Sequence, residues 1–230
     1  MKSKVISLMG EAKNKMNGYL ALTSLRYGNL CVKAEMLSLL PVTVVIDDEE
    51  MNIEAVADVG TVDDKTIGVI PKQSAYLYEI GKGVMEAHPE FKMDIKQNEN
   101  SDDEEDKYLT FAMPDVDKNR HKLLSDGVDG LNDQCKAKID AIYDYYTAQI
   151  ALHMVNADAE TVDKVKDELK KVYDFHNDTL KKMTEDKKKE IDDAYAEYQQ
   201  KQAEKEQQKG EKEAAENPLA SVSMQMPGQE

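Results

Sequence analysis

The stretch LSDGVDGLNDQCKAKIDAIYDYYTAQI, residues 124–150, carries an apolar side chain at every third or fourth position. This spacing places those side chains on one face of a continuous helix. At 1.5 Å per residue, a helix of about 30 residues is roughly 50 Å long. The stretch therefore predicts an elongated helical assembly. The face consists of Leu124, Val128, Leu131, Cys135, Ile139, Ile142, Tyr146 and Ile150.

A second stretch with the same spacing follows the polar turn Asn156-Ala157-Asp158 and runs from Val162 to Tyr198. Two long helices joined by a short turn pack antiparallel, and a third apolar strip is needed to cover them. The first 26 residues supply that strip through Val5, Met9, Ala12, Met16, Tyr19 and Thr23. Residues 1–26 and 114–198 are therefore predicted to form a three-helix bundle.

Residues 27–113 follow a different pattern, in which short β-branched runs alternate with turn residues. They predict a small α/β domain inserted into the bundle, so the fold class is α+β. We expect strands at 42–46, 53–62, 66–70, 91–95 and 108–113, a polar turn at 47–50, a helix at 73–88 and an acidic loop at 98–106. Residues 199–230 are rich in Lys, Glu and Gln at first and predict a helix extension followed by a disordered tail.

Composition excludes several function classes. The net charge of −16 repels phosphate backbones and anionic membrane surfaces, so binding to nucleic acid requires a local basic patch. Cys31 and Cys135 fit no zinc or redox spacing, and such isolated thiols are typical of a reducing cytosol. The N-terminus does not resemble a signal peptide, and no apolar run is long enough to span a membrane. We expect a cytoplasmic monomer.

No motif in the sequence supports catalysis. GxSxG, GxxxxGK[ST] and GxGxxG are absent, and neither cysteine has a histidine beside it in sequence. The acidic run Asp102–Asp106 lacks the ligand alternation of a calcium loop, so a solvated loop is the simpler interpretation. His176 falls on the second apolar seam and is expected in the core. The sequence predicts no enzyme activity, no cofactor and no metal.

The order of segments resembles the ribosome recycling factor family, and the similarity extends to short motifs. Arg26-Tyr27-Gly28-Asn29 is similar to the family's Arg-Thr-Gly-Arg hinge motif. Residues 61–67 and 83–87 resemble its Thr-Val-Glu-Asp-Ser-Arg-Thr-Leu and Lys-Ala-Ile-Met-Ala segments. Met113-Pro114, followed by residues 117–123, resembles the Pro-Pro-Leu-Thr-Glu-Glu-Arg-Arg-Lys run before the long helix.

The resemblance implies an L-shaped translation factor without covalent chemistry. Its bundle would bind large-subunit ribosomal RNA, and the inserted domain would swing about a hinge. It would act with a translocase GTPase to split the post-termination ribosome. By family match, RNA contacts are expected at Arg26, Arg120, Lys136 and Lys138, and the hinge at Tyr27, Gly28, Asn29, Met113 and Pro114.

Departures from the family pattern support a second hypothesis. The family's Val-Arg-Asn-Val-Arg-Arg-Asp run aligns with residues 138–144, where its arginines correspond to Ile139, Ile142 and Tyr143. Residues 27–107 contain seven lysines, no arginine and 19 acidic residues, which gives them a net charge of −12. A diverged paralog that binds a basic protein partner, without recycling activity, also fits these features.

Several residues allow two interpretations from sequence. Arg26 and Arg120 are either RNA or hinge contacts, or ordinary surface and helix-end residues. Tyr143, Tyr145 and Tyr146 could stack on bases, or they could pack within the bundle. Gly28 is expected to provide backbone freedom where the chain leaves the first helix.

Overall fold

The computed structural model describes residues 2–97 and 107–216, with side chains for 3–97 and 107–212. Three helices and one α/β unit account for nearly all of the regular structure. In chain order, the elements are α1 (Lys2–Gly28), β1 (Thr43–Ile46), β2 (Glu49–Asn52), α2 (Ile53–Val56), β3 (Ala57–Asp63), β4 (Thr66–Pro71), α3 (Leu77–Ala87), β5 (Lys92–Gln97), β6 (Lys107–Ala112), α4 (Lys118–His153) and α5 (Ala159–Glu216).

The bundle consists of α1, α4 and α5, and local caps determine where the last two begin. The Asp117 carboxylate accepts a hydrogen bond from the Arg120 backbone N–H at 2.8 Å, which caps α4. The Asp158 carboxylate accepts one from Thr161 at 2.8 Å in the same way at the start of α5. Val5 of α1 lies beside the α4–α5 turn, so α1 and α5 run parallel to each other and antiparallel to α4.

The apolar seams form the bundle core. The largest cluster joins residues of all three helices, among them Met16, Ile139 and Leu180, which are almost completely buried. Burying each such side chain contributes roughly 1.5–3 kcal/mol. His176 is also completely buried, as expected, and its Nε2 lies 2.8 Å from the Asn17 side-chain oxygen. A second cluster, which includes Tyr27, Val128 and Ile191, lies at the end nearest the insert.

The insert contains a four-stranded antiparallel sheet in the order β3-β4-β6-β5 and a separate β1–β2 hairpin. α3 packs against β1 and β6, and its Ile80 and Val84 belong to the same buried cluster as Phe111 of β6. Gly83 permits a close approach of α3 to β1, because an added Cβ would lie 2.8 Å from the Thr43 carbonyl oxygen.

Two sequence predictions in the insert were wrong. The turn predicted at 47–50 contains only Asp47 and Asp48, with φ of 52° and 65°, and Glu49–Asn52 form a strand. The strand predicted to start at Ile53 begins with a single helical turn, α2. The Asn52 side chain caps this turn by accepting from the Glu54 N–H at 3.0 Å. A local cap therefore overrode the β propensity of residues 53–56, and pairing in a tight hairpin overrode the turn propensity of residues 49–50.

α5 continues to Glu216, about 25 residues beyond the buried Ile191. The side chains of residues 203–212 are all exposed along this extension. The predicted acidic loop 98–106 and the tail from 217 onward lie outside the described residues. Among the described residues, no helix is long and apolar enough to cross a membrane.

Candidate functional site

The middle of α4 has two exposed flanks on either side of its buried seam. Ile139, Ile142 and Tyr146 form the seam and are 0%, 9% and 2% exposed. On one flank, Gln134, Lys138, Ala141 and Tyr145 follow each other at helical spacing along α1. On the other flank, Lys136, Asp140 and Tyr143 lie along α5.

The α1 flank of α4 forms a groove of about 250 Å³ with α1, lined by Lys15, Tyr19, Lys138, Ala141, Ile142, Tyr145 and Tyr146. The Lys15 ammonium lies 5.4 Å from the centre of the Tyr146 ring. A hydrogen bond to Tyr146 raises the pKa of Lys15, so this side chain is charged at neutral pH. Tyr145 is 55% exposed beside the two lysines, and its ring meets the Tyr146 ring edge-on with centroids 5.0 Å apart.

Arg26 extends this groove towards the insert. On α1, Lys15, Tyr19, Leu22 and Arg26 follow at helical spacing, and Arg26 donates to the Gln134 side chain of α4 at 3.4 Å. Neither Arg26 nor Lys138 forms an ion pair with any described residue. We call Lys15, Arg26, Lys138 and Tyr145 the basic groove. Its cations and exposed ring are the groups that bind phosphates and stack on bases in single-stranded nucleic acid.

Sequence reasoning placed Arg26 and Lys138 among the RNA contacts but missed Lys15. Lys15 belongs to no family motif quoted above, and it joins the groove only because α1 packs along α4. In the sequence, the helical spacing that places Lys15 and Arg26 on the same side of α1 was the signal that could have indicated Lys15.

The α5 flank of α4 carries balanced charge. Lys136 lies 3.3 Å from Asp140, and the Asp140 carboxylate also accepts a hydrogen bond from the Tyr173 hydroxyl at 2.8 Å. The Tyr143 ring packs on Tyr173 with centroids 4.5 Å apart. Lys136 is therefore partly neutralised, and Tyr143 has a packing role. Tyr146 is buried as well, so Tyr145 is the exposed member of the three tyrosines.

Arg120 ties the bundle to the insert. Its guanidinium Nη2 donates to the Cys31 carbonyl oxygen at 2.8 Å, which joins the start of α4 to the segment after α1. Burial lowers the pKa of Arg120, while the nearby charge of Glu90 acts in the opposite direction. The side chain is half-buried and turned into the molecule, and its Nε has no hydrogen-bond partner among the described residues.

A buried histidine lies next to this contact. His88 Nε2 is 3.0 Å from the Ser38 carbonyl oxygen, Nδ1 is 3.3 Å from Glu90, and the ring stacks on Phe91. Burial alone lowers the pKa of His88, but the Cys31 thiol, the Ser38 carbonyl and Glu90 together outweigh it and raise the pKa. This cluster holds the end of α3 against the segment that follows α1.

The predicted hinge residues differ in how firmly they are held. Tyr27 is buried and its hydroxyl lies 3.0 Å from Thr184 Oγ1 of α5, so it is anchored in the bundle. Met113 is buried in the insert core, and its N–H donates to Lys65 at 2.8 Å. Pro114 follows Met113, and Asn29 is exposed just beyond the end of α1.

Gly28 does not use the backbone freedom expected of it in this conformation. It ends α1 without a positive φ, and an added Cβ would meet nothing within 4 Å. The second link between insert and bundle, residues 113–117, is short, and an ion pair between Lys65 and Asp115 spans it. This pair lowers the pKa of Asp115. The hinge assignment itself stays a prediction.

Comparison with known proteins identifies the lineage of this arrangement. The family model described as "Ribosome recycling factor" matches residues 21–191, which is most of the chain. The chain belongs to the ribosome recycling factor family. No curated protein sequence matches it.

Solved structures of the ribosome recycling factor share the fold. A solution structure of the ribosome recycling factor has 13% sequence identity and a TM-score of 0.65, and the match covers 82% of this chain and 97% of that chain. A second match is to a structure that contains models of the T. thermophilus ribosome recycling factor and the E. coli elongation factor G bound to the E. coli post-termination complex. That match has 18% identity and a TM-score of 0.55, and covers 81% and 98% of the two chains. The predicted fold, a three-helix bundle with an inserted α/β unit, is confirmed.

Burial bears on how the ribosome recycling factor arginine run aligns with α4. Ile139 and Ile142 are buried in the core, where unpaired arginines would be strongly unfavourable. Their spacing of three equals that of the two valines of Val-Arg-Asn-Val-Arg-Arg-Asp, and we infer a register shifted by one residue. In that register the arginine positions fall on Asp140, Tyr143 and Asp144 instead of Ile139, Ile142 and Tyr143.

Proposed function

We propose that this chain is a ribosome-recycling-factor-like translation factor that binds the large ribosomal subunit and assists the disassembly of post-termination complexes. It acts without catalysing a covalent step itself, in the cytoplasm, together with a translocase GTPase. Membership of the family supports this proposal, as does the likeness to a ribosome recycling factor placed with elongation factor G on a post-termination complex.

The basic groove is the observation that carries the proposal. Lys15, Arg26 and Lys138 lie along one side of the bundle, within about 16 Å along α1 at 1.5 Å per residue. None of the three forms an ion pair with a described residue, although Glu11, which accepts a hydrogen bond from the Tyr146 hydroxyl at 3.4 Å, lies one turn from Lys15 and offsets part of this charge. Because the net charge of −16 repels phosphate groups, an RNA-binding surface on this chain needs such a local excess of positive charge.

Of the four RNA contacts expected from the family match, the structure favours two. Arg26 and Lys138 belong to the basic groove, whereas Lys136 is paired with Asp140 and Arg120 is tied to Cys31. Three phosphate contacts, from Lys15, Arg26 and Lys138, would give a slope of about −2 to −3 in a plot of log affinity against log salt. We expect weak, salt-sensitive binding.

Co-sedimentation with purified large subunits across a salt series tests this proposal. The wild-type chain is expected to pellet at low salt and to be released as salt rises. The double variant Lys15→Ala/Lys138→Ala should reduce pelleting by about tenfold or more. Lys136→Ala is the matched control for Lys138→Ala alone and should have little effect. Absence of pelleting at every salt concentration would exclude large-subunit binding.

A second candidate function is a protein-binding role without recycling activity. Acidic residues at two of the family's arginine positions, Asp140 and Asp144, favour it, as does the charge of −12 on residues 27–107. A subunit-splitting assay with post-termination ribosomes, a translocase GTPase and GTP separates the two. Splitting above the level of the GTPase alone supports the first function, and binding without splitting supports the second.

A further inference from the structure

The β1–β2 hairpin has one covered edge and one open edge. On the β1 side, α3 approaches so closely that a Cβ on Gly83 would lie 2.8 Å from the Thr43 carbonyl oxygen. On the outer edge of the hairpin, β2 (Glu49–Asn52) has no strand partner other than β1 among the described residues, and all four of its residues are exposed. An exposed strand edge is a template on which another extended chain can pair.

The hairpin register shows which backbone groups are available. Ile46 pairs with Glu49 across a two-residue turn, Val45 with Glu50, and Val44 with Met51. In such a hairpin the pair that closes the turn exchanges hydrogen bonds, and every second pair after it does the same. The N–H and C=O of Glu50 therefore point away from β1. No described residue bonds to them.

The charge around this edge is strongly negative. Asp47, Asp48, Glu49, Glu50 and Glu54 are all exposed, and none of them forms an ion pair with a described residue. Residues 34–64 contain nine acidic residues and no Lys, Arg or His. Such a field repels RNA and anionic lipid surfaces and attracts a cationic chain.

Apolar contacts are available on both faces of the hairpin at the same edge. Val45, the cross-strand neighbour of Glu50, is 53% exposed, and Met51 is 36% exposed. A strand added beside β2 would place successive side chains alternately against these two faces. It would therefore gain from apolar residues interleaved with basic ones.

We propose that the open edge of β2 binds an extended segment of another protein, rich in Lys or Arg, as an added strand. Backbone hydrogen bonds to Glu50 would supply affinity, and the five carboxylates would select a basic sequence. The surface lies on the insert and shares no residue with the basic groove. The proposal therefore does not depend on binding to the large subunit.

A fluorescein-labelled peptide of alternating lysine and valine is a suitable probe for the full-length chain, with fluorescence anisotropy as the readout. A glutamate–valine peptide controls for charge. A lysine–valine peptide N-methylated at every residue keeps the charge but has no backbone N–H with which to pair with a strand edge. We expect the lysine–valine peptide to bind at least about tenfold more tightly than either control.

Variants locate the site. Glu49→Lys/Glu50→Lys should weaken binding about tenfold or more, whereas Asp163→Lys/Asp167→Lys, which changes net charge equally on exposed positions of α5, should change it less than about twofold. Glu50→Pro removes the outward N–H and should weaken binding more than Glu50→Gln, which removes only the charge. Unchanged protection of the Met51 amide against hydrogen exchange without peptide checks that the hairpin of each variant is folded.

Hydrogen exchange gives a readout specific to strand addition. The Glu50 amide should exchange more slowly when the lysine–valine peptide is bound, while the amides of Glu49 and Met51 are already protected by β1. Equal binding of the N-methylated peptide would overturn the proposal. Equal loss in the two charge-reversed variants would overturn it as well, because attraction would then be general rather than local.

Discussion

At the scale of single residues, neighbouring positions of α4 separate core packing from the proposed RNA contacts. Ile139 is completely buried, while Lys138, its neighbour in sequence, is exposed in the basic groove. Substitutions at these adjacent positions should therefore act on different properties of the molecule.

Ile139→Ala should lower the free energy of unfolding by about 2–5 kcal/mol, because it leaves a cavity in the bundle core. Lys138→Ala should change it by less than about 0.5 kcal/mol, since the side chain is exposed. Urea denaturation followed by circular dichroism measures both values. A small effect at Ile139 would contradict its place in the core and the inferred register of the family's arginine run.

His88 should make stability depend on pH. Its pKa is raised in the folded chain above the usual 6.5, so its protonation stabilises the fold fully below that value. This contribution is lost as pH rises through the folded pKa. The free energy of unfolding should therefore fall between pH 6 and pH 8, and His88→Gln should flatten that dependence. Urea denaturation in reducing buffer at the two pH values measures this dependence. The same change in the free energy of unfolding for wild type and variant would contradict the prediction.

At the scale of elements, the three long helices were predictable because an apolar side chain every third or fourth position has only one regular interpretation. The hairpin was not, because Glu49-Glu50-Met51-Asn52 resembles a polar turn in sequence and becomes a strand only by pairing with β1. The basic groove was partly predictable. Lys15 was missed because its partners lie on another helix. The ion pair of Lys136 with Asp140 and the hydrogen bond from Tyr173 to Asp140 form only in the folded chain, and the assignment of Lys136 as an RNA contact stays a prediction.

The end of α5 should be dispensable for stability. Deleting residues 207–230 removes a helical segment whose side chains at 207–212 are exposed, so the free energy of unfolding should change by less than about 0.5 kcal/mol. Deleting residues 191–230 instead removes the buried Ile191 and should destabilise the bundle clearly. Urea denaturation of the two truncated chains distinguishes these cases, and equal losses would show that the extension packs on the bundle.

At the scale of the whole molecule, two distant segments of the sequence complete one bundle. We propose that residues 1–26 and 114–198 form one unit and residues 27–113 another. Removing residues 1–26 exposes apolar side chains of α4 and α5, because Val5, Leu8, Ala12, Met16 and Leu20 of α1 lie in the same buried cluster. Thermal unfolding of this chain should lose its cooperative helical transition, and a synthetic peptide of residues 1–28 should restore it. Helices as stable without α1 as with it would contradict the proposal.

Charge distribution over the molecule should control affinity for the ribosome. Asp140→Arg/Asp144→Arg places cations at two family arginine positions on α4 in the inferred register. The plot of log affinity for the large subunit against log salt should become steeper by the amount that corresponds to about two phosphate contacts. Glu204→Arg/Glu211→Arg makes the same change in net charge on exposed positions of the α5 extension and is the matched control. Co-sedimentation across a salt series measures both. An equal gain in the two variants would show that only net charge matters.

The parallel arrangement of α1 and α5 has a consequence for biosynthesis. α1 is synthesised before both of its bundle partners, and the helix that flanks it in the same direction follows only after about 130 further residues. The insert can fold during this interval and α4 can then cover part of the apolar stripe of α1, whereas the side of α1 that packs on α5 stays exposed until α5 is made. Until then the nascent chain carries an apolar surface that could associate with other unfolded chains.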